Sequence, residues 1–75
     1  MVTAEIRDSE RALEANMTVL MRRKGITVSE MAERMGMSPS TLYNRRLRPG
    51  TFTVSEINKA AEILMVDTAE LFKTT

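Results

Sequence analysis

Residues 27–47 constrain the fold of this chain most strongly, because helix start and stop signals follow one another closely there. Met31, Ala32 and Met35 give the narrow apolar stripe of a short amphipathic helix. Gly36 follows this stripe and predicts the end of the helix, since glycine adopts the left-handed conformation without a Cβ penalty. The pattern predicts a first short helix that ends at Gly36.

A second short helix is predicted to start immediately afterwards. Ser38 can cap the exposed N–H groups, and the fixed φ of Pro39 suits the first helical position. Met37 is predicted to fill the junction between the two helices, and Leu42 is predicted to face inward. The remaining residues divide between the outer face and the flanks: Ser40, Thr41, Tyr43, Asn44, Arg45 and Arg46. This polar face is the predicted working surface.

A longer helix is predicted before this pair, from a Ser9 cap to Lys24, with Gly25 ending it. Residues 1–8 are predicted to be a flexible lead-in. The apolar stripe consists of Leu13, Met17, Leu20 and Met21. Arg22, Arg23 and Lys24 either complement the helix dipole or belong to a basic patch, and we favour the dipole.

Capping motifs place the other helix starts. Thr27 with Glu30, and Thr53 with Glu56, each give the spacing of a capping box. Asp67 is predicted to cap a last short helix that carries Leu71 and Phe72, and Phe52 is predicted to enter the core from the turn before the fourth helix. The buried face of the fourth helix is predicted to consist of Ile57, Ala60, Ala61 and Leu64. The result is an all-α domain of five helices over residues 9–72, with residues 73–75 as a tail.

Composition limits the chemistry available to this chain. Seventy-five residues suffice for one small domain, and the absence of cysteine and histidine excludes a disulfide framework and a thiolate metal site. An enzyme is not expected, because no nucleophile and base are paired. No cofactor is predicted. The sequence lacks an apolar run of signal-peptide or membrane-spanning type, so a cytoplasmic protein without membrane attachment is expected.

The charges are distributed unevenly along the chain. Residues 1–20 and 51–75 each carry a net charge of −2, whereas residues 21–50 carry +5. The positive charge therefore lies on the segment that contains the helix pair. Such a distribution is typical of a small domain that docks one face against phosphate groups.

Seven methionines raise the question of a metal site or an adaptable groove. Five of them fall on predicted inward faces: Met17, Met21, Met31, Met35 and Met37. Flexible filling of the core is the favoured interpretation, because methionine adapts to irregular gaps.

An ordered set of short motifs resembles the Cro/repressor (lambda-repressor-like, XRE-like) helix-turn-helix family. The motifs are LMRRKGIT at 20–27, EMA at 30–32, MGMS at 35–38 and TLYN at 41–44. The resemblance continues through Ile57, Ala60, Ala61, residues 64–66, Leu71 and Phe72, and covers about four fifths of the chain. It implies a compact lambda-repressor-like fold in which helices 2 and 3 form the helix-turn-helix.

The resemblance also implies a binding surface for double-stranded DNA. In that geometry the second helix of the pair enters the major groove. The expected base-reading residues are Pro39, Ser40, Tyr43 and Asn44. The expected phosphate-contacting residues are Ser29, Ser38, Thr41, Arg45, Arg46 and Arg48. Val28 stands where the family often has glutamine, and Arg45 and Arg46 replace its usual aromatic-glutamate pair.

The expected function is a transcriptional regulator, a repressor of phage or mobile-element type, that binds a palindromic operator as a homodimer. The apolar C-terminal fifth suggests the dimer surface, with Met65, Val66, Leu71 and Phe72 as its candidates. The alternative is a protein-interaction module on the same fold, an antirepressor-like or antitoxin-like partner of another regulatory protein. A solvated helix face is the alternative interpretation of Ser40, Asn44 and each arginine, and half-buried packing is the alternative for Tyr43.

Overall fold

A computed structural model describes the backbone of residues 2–74 and the side chains of residues 7–74. Over this part of the chain the elements are α1 (Val2–Lys24), α2 (Val28–Met35), α3 (Pro39–Leu47), a 3₁₀ helix (Pro49–Thr51), α4 (Val54–Leu64) and α5 (Thr68–Leu71). The predicted all-α fold with a helix-turn-helix formed by its second and third helices is confirmed.

The first helix begins earlier than the sequence predicted. It already includes Val2, so residues 2–8 continue the helix instead of forming a separate lead-in. Ser9 occupies a position inside the helix and does not start it. The predicted end is confirmed, because α1 ends at Lys24 and Gly25 follows with a φ of +66°.

Two capping boxes fix the starts of α2 and α4. The Thr27 hydroxyl accepts a hydrogen bond from the Glu30 N–H at 3.1 Å, and the Glu30 carboxylate accepts one from the Thr27 N–H at 2.9 Å. Thr53 and Glu56 repeat this arrangement at 3.0 Å in both directions. Both boxes were predicted. Asp67 occupies the N-cap position of α5, but its side chain makes no capping hydrogen bond.

One hydrophobic core joins the helices. Met17, Met31, Leu42, Leu64 and Leu71 are its largest fully buried side chains. The predicted inward positions of the five methionines are confirmed, since three are buried and Met35 and Met37 pack against the core. Phe52 is also buried, as predicted.

The C-terminal end of the fold is fastened to the middle of α1. The Asn16 amide donates hydrogen bonds to the backbone carbonyls of Leu71 and Lys73, each at 2.9 Å. These carbonyls lie at and just beyond the end of α5, where carbonyl groups have no N–H donor within the helix. Asn16 therefore stabilises the packing of α5 against α1.

Candidate nucleic-acid interface

The start of α3 is fixed by a local hydroxyl network. Ser38 is the N-cap residue, and its Oγ accepts a hydrogen bond from the Thr41 N–H at 3.1 Å. The two hydroxyl oxygens of Ser38 and Thr41 are 2.9 Å apart and share a further hydrogen bond. Pro39 occupies the first turn, as predicted. The first turn of α3 therefore has little freedom to move before it meets a ligand.

The angle between α2 and α3 is set by a short turn and a buried anchor. Gly36 adopts a φ of +74°, and the Met37 N–H donates to the Ala32 carbonyl at 3.0 Å. Met37 packs against the core at the junction, as predicted. Leu42 is completely buried and anchors α3 from below. One side of α3 therefore faces inward and the other faces solvent.

The solvent-facing side of α3 carries the predicted base-reading residues. Pro39, Ser40, Tyr43 and Asn44 are exposed and together with Val28 line one shallow cleft. Tyr43 is 60% exposed. Within residues 7–74 the side chains of Ser40, Tyr43 and Asn44 make no hydrogen bond to the protein. Their donors and acceptors are therefore available to an external ligand.

Arg46, one of the expected phosphate-contacting residues, makes an ion pair with α1. Its Nη2 is 2.9 Å from a Glu14 carboxylate oxygen on α1 and donates to the Thr18 hydroxyl at 2.7 Å. Its Nε donates to the same Glu14 oxygen at 3.1 Å. Thr18 in turn donates to Glu14, which closes the network. Arg46 therefore connects α3 to α1, and its side chain is only 20% exposed.

Arg45 makes the corresponding connection to α4. Its Nε and Nη2 donate to the two carboxylate oxygens of Glu56 at 3.0 and 3.3 Å. The pKa of Glu56 lies below its ordinary value, chiefly because the Arg45 guanidinium donates hydrogen bonds to its carboxylate. In turn, the Glu56 carboxylate raises the pKa of Arg45. Two of the three arginines that were expected to contact phosphate, Arg45 and Arg46, thus form part-buried ion pairs with neighbouring helices.

The other expected phosphate-contacting residues divide into two groups. Ser29 and Arg48 are exposed, at the start of α2 and just after α3. Ser38 and Thr41 have their hydroxyls engaged in the cap of α3, although Ser38 itself is exposed.

Glu30, also at the start of α2, has a pKa below its ordinary value, chiefly because the Thr27 N–H donates to its carboxylate.

The candidate dimer surface contains one residue that the structure places elsewhere. Leu71 is completely buried, because it anchors α5 to the core, and it cannot contact a second copy. Val66 is half-buried and packs against the same core. Met65 is 80% exposed and Phe72 is 37% exposed. Of the four candidates, Met65 and Phe72 are therefore the exposed ones.

A second and larger cleft, which was not predicted, adjoins the exposed side of α3. Its lining residues come from α1, from α2, and from the end of α3 with the 3₁₀ helix: Arg7, Glu10, Arg11, Glu14, Val28, Tyr43, Arg46, Leu47 and Pro49. Leu47 is 62% exposed and, with Tyr43 and Val28, gives this cleft an apolar floor. The only sequence signal was the helical spacing of the four α1 residues.

The two helices, the tight turn and the anchored second helix define a helix-turn-helix DNA-binding domain. A family model described as a Cro/C1-type HTH DNA-binding domain matches residues 16–75. The chain belongs to this family, as its motifs indicated. The matched range begins inside α1, so the first half of that helix precedes it.

Searches among curated proteins and among solved structures found no significant match to the chain. Within residues 2–74 no helix combines the length and the apolar character that crossing a membrane requires.

Proposed function

We propose that this protein is a sequence-specific double-stranded DNA-binding transcriptional regulator that places α3 in the major groove. The observation that carries this proposal is the solvent-facing side of α3. There the polar side chains of Ser40, Tyr43 and Asn44 make no hydrogen bond within residues 7–74. Leu42 anchors this helix in the core, and Ser38 caps its start. Membership of a Cro/C1-type DNA-binding family supports it. An α-helix fits the major groove of B-form DNA, whose base edges it can then read.

Each exposed residue of α3 has a chemical role in this proposal. Asn44 can pair bidentately with adenine, and Ser40 can donate to or accept from most base edges. Tyr43 can contact a thymine methyl group or donate to a phosphate. Pro39, which lacks a side-chain donor, contributes van der Waals contact.

The phosphate contacts are assigned to the groups that the fold leaves accessible. Ser29 at the start of α2 and Arg48 after α3 are both exposed. The N–H groups at the starts of both helices can donate to phosphate oxygens. Arg45 and Arg46 hold α3 in position between α1 and α4, so we assign them a positioning role.

We further propose a repressor of phage or mobile-element type that acts in the cytoplasm as a homodimer. Two copies would place their α3 helices in successive major grooves, about 34 Å apart. Met65 and Phe72 are the exposed members of the predicted dimer surface and are assigned to the contact between copies. No catalytic activity is proposed, since members of this family are typically not enzymes.

A selection of bound duplexes from a randomised pool tests this function. The expected result is a preferred sequence with two related half-sites. Binding to that sequence should weaken steeply as salt concentration rises, because each neutralised phosphate contributes about −0.9 to the slope of log K against log salt. Absence of duplex binding at low salt would contradict the proposal.

A protein-interaction module on the same fold is the second candidate, and one observation favours it. The larger cleft has an apolar floor of Val28, Tyr43 and Leu47, which would suit an amphipathic helix of a partner protein. The duplex selection separates the two candidates, because a module that binds only protein would select no duplex whose salt dependence could be measured.

A further inference from the structure

Four residues on the first half of α1 face the larger cleft beside α3. Arg7, Glu10, Arg11 and Glu14 all line it. They are spaced by three, one and three residues, which places them on one face of a helix. Arg7 and Arg11 are both exposed, and their Cα atoms are separated by about 6 Å along the helix axis. Two guanidinium groups can therefore project from the same wall of the cleft.

One acidic residue of this face is engaged in an ion pair, whereas the other, Glu10, has no ion-pair partner among residues 7–74. Glu14 is paired with Arg46 at 2.9 Å. The Glu10 carboxylate lies against the 3₁₀ helix, 3.0 Å from the point where a Cβ on Gly50 would stand. Asp8 borders a neighbouring cleft together with Arg11 but does not pair with it. Among residues 7–74, neither Arg7 nor Arg11 has an ion-pair partner.

The arginine-lined wall is continuous with the base-reading side of α3. Val28 and Tyr43 line both clefts, so the two clefts adjoin at these residues. A ligand that lies along Ser40, Tyr43 and Asn44 would therefore reach the rim of the second cleft. A duplex seated on α3 carries phosphate groups along both edges of its major groove.

We propose that Arg7 and Arg11 contact backbone phosphates beside the major groove that α3 occupies. This inference rests on the proposed function. It gives the first half of α1, which precedes the range matched by the family, a binding role of its own. Unpaired guanidinium groups suit phosphate oxygens through charge-assisted hydrogen bonds, and such contacts add affinity without sequence preference. The apolar floor then faces deoxyribose and base-edge methyl groups.

The double variant R7Q/R11Q tests the proposal, with K59Q/K73Q as a control of equal charge change. Lys59 and Lys73 lie on α4 and after α5 and line neither of these clefts. On the selected duplex, R7Q/R11Q should reduce the magnitude of the salt slope by about 1 to 2, at about 0.9 for each lost phosphate. Its preferred sequence should stay the same, and K59Q/K73Q should keep the parent slope. R7K/R11K, which retains the charge, should recover most of the lost slope.

The outcomes separate the two proposals. If the parent binds no duplex, the proposed function fails and this inference fails with it. If the parent binds and R7Q/R11Q retains the parent slope, or loses no more than K59Q/K73Q, only the role of Arg7 and Arg11 is overturned. The cleft would then be assigned to a protein ligand. Circular dichroism with a thermal melt shows that each variant is folded before binding is compared.

Discussion

Among the exposed side chains of α3, Asn44 is expected to contribute most to the recognition of the DNA sequence. It is exposed in the second turn of α3, and no described residue accepts or donates a hydrogen bond to its amide. Asn44→Ala should abolish discrimination at one base pair, at a cost of about 1–3 kcal/mol, because the bidentate pair with adenine is lost. Competition between duplexes that differ at single positions measures this change.

The matched control is Asn58→Ala, since Asn58 is also exposed but lies on α4 in a separate cleft with Met35 and Lys59. Alanine is favourable in a helix, so neither variant should unfold the protein. Should Asn44→Ala keep the parent ranking of all duplexes, the proposed orientation of α3 in the groove would be wrong.

Met65 carries local backbone strain that a substitution can relieve. It ends α4 with φ +59° and ψ +44°, a left-handed conformation unfavourable for a residue with a Cβ atom. Its side chain is 80% exposed and so contributes little burial in the monomer. Met65→Gly should therefore raise the free energy of unfolding by about 1 kcal/mol, as measured by urea denaturation.

Met65→Ala removes the same side chain and keeps the strain, so it should show no such gain. Equal stability of the glycine and alanine variants would contradict the strain argument.

At the scale of the element, α3 is held on both flanks by ion pairs. Arg46 connects it to Glu14 on α1, and Arg45 connects it to Glu56 on α4. These connections lie in the second half of α3, whereas the proposed base-reading residues lie in the first half and the middle. The helix can therefore present its exposed side in a fixed orientation before DNA arrives, which reduces the entropy lost on binding.

The pairing of Glu56 makes stability depend on pH. Its folded pKa lies below the ordinary value, chiefly because of the Arg45 guanidinium. The stabilisation is therefore present above the unfolded pKa of about 4.3 and is lost as pH falls through the lower folded pKa. Glu56→Gln should lower the melting temperature near neutral pH and have much less effect at about pH 2. Thermal melts across this range measure the difference.

Glu62→Gln serves as the control for that experiment. Glu62 lies on the same helix, and its side chain is 77% exposed and 3.9 Å from Lys59. The substitution removes the same charge without breaking a close pair, so it should change the neutral-pH melting temperature less. An identical loss in both variants would assign the effect to net charge instead of the Arg45 pair.

The starts of α2, α3 and α4 were predictable from sequence because their signals are local. The Thr27 and Thr53 capping boxes and the Ser38 cap each involve residues three positions apart. The start of α1 was not predicted, since Ser9 is compatible with both a cap and a helix interior. Serine caps are frequent, but the preceding residues include helix-forming Ala4, Glu5 and Arg7, which allow the helix to continue.

The partners of α3 could not be predicted in the same way. Arg46 meets Glu14 and Thr18 across 32 and 28 residues, and Arg45 meets Glu56 across 11. These separations are bridged only after α1 and α4 pack around α3, so no local pattern marks them. The exposed base-reading residues were predictable because the inward position of Leu42 determines which side of α3 faces solvent.

At the scale of the whole molecule, size is compatible with one copy on each half-site. The fold extends 36 × 22 × 18 Å, and successive major grooves on one side of a duplex are about 34 Å apart. We expect two copies on a duplex with two half-sites, with positive cooperativity between them. Analytical ultracentrifugation of the complex measures the number of protein copies bound to each duplex.

Met65→Gln should reduce this cooperativity and leave the affinity for a single half-site unchanged, because it adds a polar group to the assigned contact. Val19→Gln, which alters a 43% exposed apolar residue on α1, should leave cooperativity intact. Unchanged cooperativity in Met65→Gln would place the contact between copies elsewhere.

The Asn16 hydrogen bonds hold the end of α5 beside α1, and this gives a defined place to attach a reporter group. At about 100° per residue, Asn16 projects from the side of α1 opposite Arg7 and Glu14. Thr74, which lies beside Asn16, is exposed on that same side. Because the sequence contains no cysteine, Thr74→Cys would provide one thiol for a fluorophore. The anisotropy of this dye would report the slower tumbling of the protein once a duplex is bound, and because Arg11 lines the same cleft as Thr74, its emission would also respond to a phosphate contact at Arg11.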